Sequence, residues 1–154
     1  MNLDSMQLVR QIEQLKKRID DLARPEMGWT PHFLTEPYTN TDFDGDSFSS
    51  VGAHTKIENS DWSTTVPTDA KALIIRMIAR DSGSAASTAL YFSIYATSTA
   101  TNPAAAVRPA GITNDAVAEI QGIVPCTDGD VWYRCSASGA NTMDVWLTVV
   151  GYWT

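Results

Sequence analysis

The sequence predicts a mainly β chain, an antiparallel β-sandwich or jelly roll preceded by a short N-terminal coiled-coil helix. Three observations carry this expectation. Apolar residues recur at spacings of 4, 3, 4 and 3 over residues 8–22. From residue 29 onward the periodicity changes to strict alternation, the signature of half-buried strands. Clusters of Asp, Asn, Gly, Ser and Pro then separate seven or eight short runs, as in sandwiches and jelly rolls.

The helix comes first. Leu8, Ile12, Leu15, Ile19 and Leu22 form an a/d stripe with Ile at a and Leu at d. Asp4 or Ser5 can cap its start, and Pro25 stops it by pushing Arg24 out of the α region. A helix of about 20 residues is marginal alone in water, so its narrow stripe is expected to pair with copies of itself. The competing arrangement is an amphipathic helix folded back on its own domain. Ile at a with Leu at d favours dimers. Arg18-Ile19-Asp20-Asp21-Leu22 instead matches the first five positions of the Arg-apolar-x-x-apolar-Glu trimer signature, with Ala23 where that signature has Glu. Residues 1–24 are thus expected to be an oligomerising helix, 25–28 a linker, and 29–154 a β-sandwich head.

Within the head, Leu73, Ile75, Met77 and Ala79 are expected to face inward, with Arg76 and Arg80 facing out. Leu90, Phe92, Ile94 and Ala96 alternate with Tyr91, Ser93 and Tyr95. Ala116, Ala118, Ile120, Gly122, Val124 and Cys126 share one face. Asp128-Gly129 then reads as a two-residue hairpin turn bringing Val131, Tyr133, Cys135 and Ala137 onto that same face. The last strand buries Met143, Val145, Leu147 and Val149. Shorter candidates are residues 30–34, 48–57 and 62–66. In the hairpin register Cys126 and Cys135 lie roughly 13 Å apart along the strands, beyond disulfide reach, so both are expected to be reduced core thiols.

Charge narrows the function classes. The 154 residues carry a net charge of -7, of which residues 1–24 contribute +1, leaving -8 on the rest. So acidic a head repels phosphate backbones, and no nucleic-acid partner is expected. No apolar run is long enough for membrane insertion, and the charged N-terminus lacks the apolar core of a signal peptide. Catalytic signatures are missing: no Gly-x-Ser-x-Gly, no phosphate loop, no His-Glu-x-x-His, and no mate for Glu36 or Glu119 as a carboxylate pair. The expected activity is binding rather than catalysis, with no cofactor. His32 and His54 lack partners at metal spacing and are expected at the surface or rim. Asp42, Asp44 and Asp46 around Gly45 read as an Asp/Gly turn, with a weakly bound cation as the alternative.

The aromatic load is high, with five Trp and five Tyr. Trp132 and Trp146 have the parity opposite to the core face of their strands and should point outward, onto a neighbouring subunit or onto a ligand. Trp153 shares parity with Val149 and is expected to be structural.

Several segments together resemble small phage virion proteins. These are the heptad run Leu8 to Leu22, the Leu22-Ala23-Arg24-Pro25 break, Trp29-Thr30-Pro31, Asp44-Gly45-Asp46, Gly122-Ile123-Val124-Pro125-Cys126 and Val149-Val150-Gly151-Tyr152-Trp153. The resemblance covers nearly the whole chain as a plan rather than a diagnostic motif. It implies a homotrimer with jelly-roll heads of the tumour-necrosis-factor or C1q type, assembled in the host cytoplasm and carried on the virion surface. It further implies a tail-fibre or tail-tip attachment head, or a decoration (cement) protein on the capsid. The partners would be other copies of the chain, tail or major capsid protein, and a host surface glycan. A carbohydrate-binding module is the third class.

Overall fold

The computed structural model describes residues 28–154 together with Glu13, Gln14 and Lys16, which are helical and exposed. The stripe residues Leu8, Ile12, Leu15, Ile19 and Leu22 and the Pro25 break lie outside the described residues. Among the described residues, no helix is long and apolar enough to cross a membrane.

Eight strands follow: β1 (Pro31–Phe48), β2 (Val51–Ile57), β3 (Ala72–Asp81), β4 (Tyr91–Tyr95), β5 (Ala105–Val107), β6 (Ala118–Pro125), β7 (Val131–Ser136) and β8 (Met143–Trp153). They form two four-stranded antiparallel sheets. The first has the order β1-β8-β3-β6 and the second β2-β7-β4-β5. Every connection except β4–β5 passes from one sheet to the other, so the fold is held by pairing between strands remote in sequence.

The strands form where alternation places one apolar row inward. On β3, Leu73, Ile75, Met77 and Ala79 are at most 1% exposed, and on β8, Met143, Val145, Leu147 and Val149 are fully buried. β7 and β4 supply Val131, Cys135, Phe92 and Ile94 from the opposite sheet. An aromatic seam joins the layers. Phe43 of β1 stacks on Phe48 at 5.1 Å and meets Tyr133 of β7 edge-on at 5.0 Å, and Tyr133 stacks on Phe92 at 5.6 Å.

The expected β6–β7 hairpin does not form. Residues 127–130 make the tight turn, with Asp128 and Gly129 at positive φ and one bridge between Thr127 and Asp130. Beyond the turn β6 pairs with β3 and β7 pairs with β2 and β4, in different sheets. Both strands turn their apolar rows to the same core from opposite sides, so a shared hydrophobic parity fits a corner as well as a hairpin. Trp62 holds this corner: fully buried, it donates its indole N–H to Gly129 O at 3.0 Å. Residues 62–66, expected as a strand, are instead the end of a 3₁₀ turn (Asn59–Trp62) and the turn after it. The single run expected over 48–57 breaks at Ser49-Ser50, where the chain changes sheet. Ser49 Oγ accepts from Asn141 N and Ser50 Oγ from Ala137 N, both at 3.0 Å.

The thiols are free, but for a reason other than hairpin offset. Cys135 sits in the core with Sγ 3.4 Å from Met143 Sδ, while Cys126 donates to Ala70 O across 3.3 Å. Burial pushes the Cys126 thiol up to about 11 and Cys135 up to about 12, which keeps both protonated and unreactive at neutral pH.

Asp81, at the end of β3, is fully buried and its carboxylate is surrounded by donors. Gly83 N, Ser138 N and the hydroxyls of Ser138 and Thr142 all point to it, tying β3 to the β7–β8 loop. Desolvation raises its pKa, but these hydrogen bonds outweigh that and hold the carboxyl below its ordinary value. A depressed folded-state pKa stabilises the fold above the unfolded carboxyl's pKa. That stability is lost as pH falls through the folded value. Asp81→Asn should therefore cost about 1–3 kcal/mol at neutral pH, because an amide offers one acceptor where four donors converge. In urea titrations the gap between the two proteins should narrow as the pH drops below the carboxylate range; a gap that stays constant would show that charge plays no part.

Candidate interaction surface

The side of an antiparallel sheet turned away from the core is usually polar. The outer side of the β1-β8-β3-β6 sheet is so only in part, and the strand register shows where the apolar rows lie. Reading across all four strands, the cross-strand partners fall into rows. Pro31, Trp153, Ala72 and Pro125 make the first row, and Phe33, Gly151, Ile74 and Ile123 the second. Thr39, Thr148, Arg76 and Gln121 make the third, and Asp44, Trp146, Ile78 and Glu119 the fourth.

A one-residue bulge at Val150 brings the apolar rows together. Ile75 pairs with Val149 but Ile74 pairs with Gly151, so β8 reverses its parity at this point. Tyr152, not Trp153, therefore packs against the core, and Trp153 joins Trp146 on the outer side. This corrects the expectation from parity with Val149, since counting by twos fails across a bulge. Ala72 and Ile74, though on the outer side, are only 1% and 7% exposed. At Gly151 a Cβ would stand 2.5 Å from His32 O, so the close approach of β1 excludes any side chain there.

The second row ends in two bare side chains, Phe33 at 74% and Ile123 at 54% exposed. Val117, 58% exposed, helps line an open depression of about 510 Å3 with Thr39, Arg76, Ile78, Glu119, Trp146 and Thr148. Trp29, 51% exposed, lies just before the Thr30–Thr154 backbone pair at the Trp153 end of this sheet.

Polar groups frame the depression. Arg76 grips Glu119 through two bonds, Nε to Oε1 at 2.6 Å and Nη2 to Oε2 at 3.0 Å. The hydrogen bond from Arg76 holds Glu119 below the usual carboxylate range and raises Arg76 in return. Arg80 bonds Asp144 at 2.8 Å and lies 5.5 Å from the Trp146 ring centroid, a cation–π distance. Thr39 and Thr148 share a 3.0 Å hydroxyl contact. These groups are already paired with one another and none is set up as a nucleophile beside a base.

The Asp42–Asp46 segment is not a free turn. It runs inside β1, beside β8, with register shifts on both sides of Asp44. The eighteen residues of β1 lie along eleven of β8, and the excess is taken up as bulges. Asn40 accepts from Asp42 N at 2.9 Å within one of them. Asp and Gly suit bulges as well as turns, so composition alone does not separate the two. Among the described residues, no three His, Cys, Asp or Glu side chains are grouped to hold a metal. Gly45 instead presses on Trp146: at φ +109° a Cβ would lie 2.8 Å from Cζ2 of the indole.

Trp132 stands on the outer side of the other sheet, paired with Lys56 and Tyr95. The two tryptophans singled out in the sequence thus both point outward, but on opposite sides of the sandwich. Sequence reasoning missed Phe33, Ile74 and Ile123, because their row exists only once β1, β8, β3 and β6 are laid side by side. Gly45→Ala should lower stability by about 1 kcal/mol or more, since alanine at positive φ is strained and its methyl must displace Trp146. The expected companion change is a shift in tryptophan emission, and an unaltered melting temperature and spectrum would contradict this packing. Comparison of the chain with protein-family models and with curated proteins gives no match.

Proposed function

We propose that this chain is a non-catalytic, homo-oligomeric virion protein, trimeric, whose β head acts in host attachment as a tail-fibre or tail-tip module. One observation carries the self-association. Three of the four most exposed large apolar side chains among the described residues, Phe33, Val117 and Ile123, belong to the outer side of one sheet. Exposed apolar side chains gathered on one side of one sheet suit a site of association better than a surface made for water. Trp153 and Trp146 lie on the same side of that sheet, in its first and fourth rows, and aromatic anchors ringed by polar pairs are typical of interface centres.

The N-terminal heptads suit the same outcome. Pairing of Leu8, Ile12, Leu15, Ile19 and Leu22 between copies would raise the effective concentration of the heads, so that a modest face-to-face contact suffices. The strand order supports a jelly roll, in which two four-stranded sheets exchange strands at nearly every connection. That architecture occurs in viral capsid and lectin domains, and it is an analogy of fold rather than of site. The paired state of Arg76, Glu119, Arg80 and Asp144 favours binding over bond breaking.

Capsid decoration is the rival use of the same surfaces, with the apolar face against capsid protein. Labelling of purified particles with antibody to the head separates the two. Label confined to the tail is the expected result. Label spread over the shell would replace attachment with decoration, and no label on particles would remove the virion assignment.

A further inference from the structure

The outermost strand of a sheet leaves a row of backbone N–H and C=O groups without a strand partner, and such edges are usually interrupted or shielded. Three of the four edges in this head are. β1 is broken by three register shifts, β2 carries one shift and Lys56, and β5 is three residues long. β6 is different. Its eight residues pair with β3 in one unbroken register, from Ala118 opposite Ala79 to Pro125 opposite Ala72. Cys126 N donates to Lys71 O at 2.9 Å, which sets the phase of that ladder. Ala118, Ile120, Gly122 and Val124 therefore turn their N–H and C=O groups to β3, while Glu119, Gln121 and Ile123 turn theirs to the open edge. Among the described residues, no backbone hydrogen bond outside the sheets engages residues 118–125. Glu119, Gln121 and Ile123 are exposed, and Ala118, Ile120 and Gly122 are half-exposed although they face inward, as befits an uncovered edge. The one charge on β6, Glu119, is held by Arg76 and so is a weak guard against strand pairing.

We propose that β6 pairs with β6 of a second copy, antiparallel and about a two-fold axis at Ile120, joining the two four-stranded sheets edge to edge. The occupant follows from the strand's own sequence. With Ile120 on the axis, Val117 faces Ile123 and Glu119 faces Gln121 across the copies. Apolar meets apolar and carboxylate meets amide, each twice over, and the four pairs exchange about eight backbone hydrogen bonds. With Gln121 on the axis, Glu119 would face Ile123, and Val117 would face Pro125, which has no N–H to give. With Glu119 on the axis, two carboxylates would face each other. The strand thus complements itself in one register. That register also covers Val117 and Ile123, two of the most exposed large apolar side chains in the head. An isologous contact of this kind is closed, so it stops at two copies per edge. The pairing goes beyond the attachment reading and does not rest on it. It uses the edge and leaves most of the outer side of the sheet free, so it can join two of the assemblies formed through that side.

The test is sedimentation equilibrium of the full chain, from micromolar concentration to about a hundredfold higher, the range of weak specific contacts. The mean mass should climb toward twice its value at the lowest concentration. Gln121→Pro removes an outward N–H but spares the ladder to β3 and every outer apolar side chain, so the variant should fold and keep the lower mass throughout. If it does not fold, hydrogen exchange of the unaltered chain decides. The amides of Glu119, Gln121 and Ile123 should then exchange about tenfold more slowly at the high concentration than at the low, whereas that of Val124, bonded to β3, is slow at both. A mass that does not rise, a rise that survives in folded Gln121→Pro, or outward amides indifferent to concentration would overturn the proposal. Where label falls on particles is independent of all three results, so the two readings fail separately.

Discussion

The register of β3 is the constraint on which the rest of the structure depends. All ten of its residues pair with β8, and eight of them pair with β6. Because side chains alternate, one register fixes two surfaces together. Odd-numbered Leu73, Ile75, Met77 and Ala79 fill the core, while even-numbered Ala72, Ile74, Ile78 and the two arginines define the outer rows. A slip by one residue would bury Arg76 and Arg80 without partners, which costs far more than the fold can spare. The core and the candidate interface are therefore two sides of one pairing.

Bulges then tune what the pairing exposes. The bulge at Val150 moves Trp153 outward and Tyr152 inward, extending an apolar patch that a regular strand would have interrupted. β1 does the opposite kind of work at the sheet edge. Its three register shifts leave a broken ladder, and bulged edges resist uncontrolled strand-to-strand pairing. Association through the flat of the sheet thus remains open while association through that edge is discouraged. The Asp81 cradle and the Trp62–Gly129 bond secure two of the six places where the chain leaves one sheet for the other.

Much of the head was legible as periodicity. β3, β4, β7 and β8 coincide with the alternating runs, and their inward rows are those expected, because burial on one face leaves a direct imprint on sequence. What was not legible depends on relations between strands. Asp128-Gly129 specifies a tight turn but not whether the following strand stays in the same sheet. Asp42, Asp44 and Gly45 have turn chemistry, yet lie in a bulged edge strand whose partner is a hundred residues away. Ala105–Val107 is a three-residue strand with too few positions to show any period. The outward placement of Trp132 and Trp146 followed from parity, whereas Phe33, Ile74 and Ile123 needed the assembled sheet. Trp153 was misplaced because one extra residue inverts parity and leaves no mark in composition.

The outer side of the β1-β8-β3-β6 sheet, where Phe33, Val117 and Ile123 are exposed, is the surface on which the proposed self-association rests. The decisive quantity is the mass of the full chain in solution. Static light scattering at micromolar concentration should give a multiple of 16.8 kDa, three times that value for the proposed trimer. A mass of 16.8 kDa that persists as the concentration is raised would contradict self-association and leave the apolar face without the occupant assigned to it.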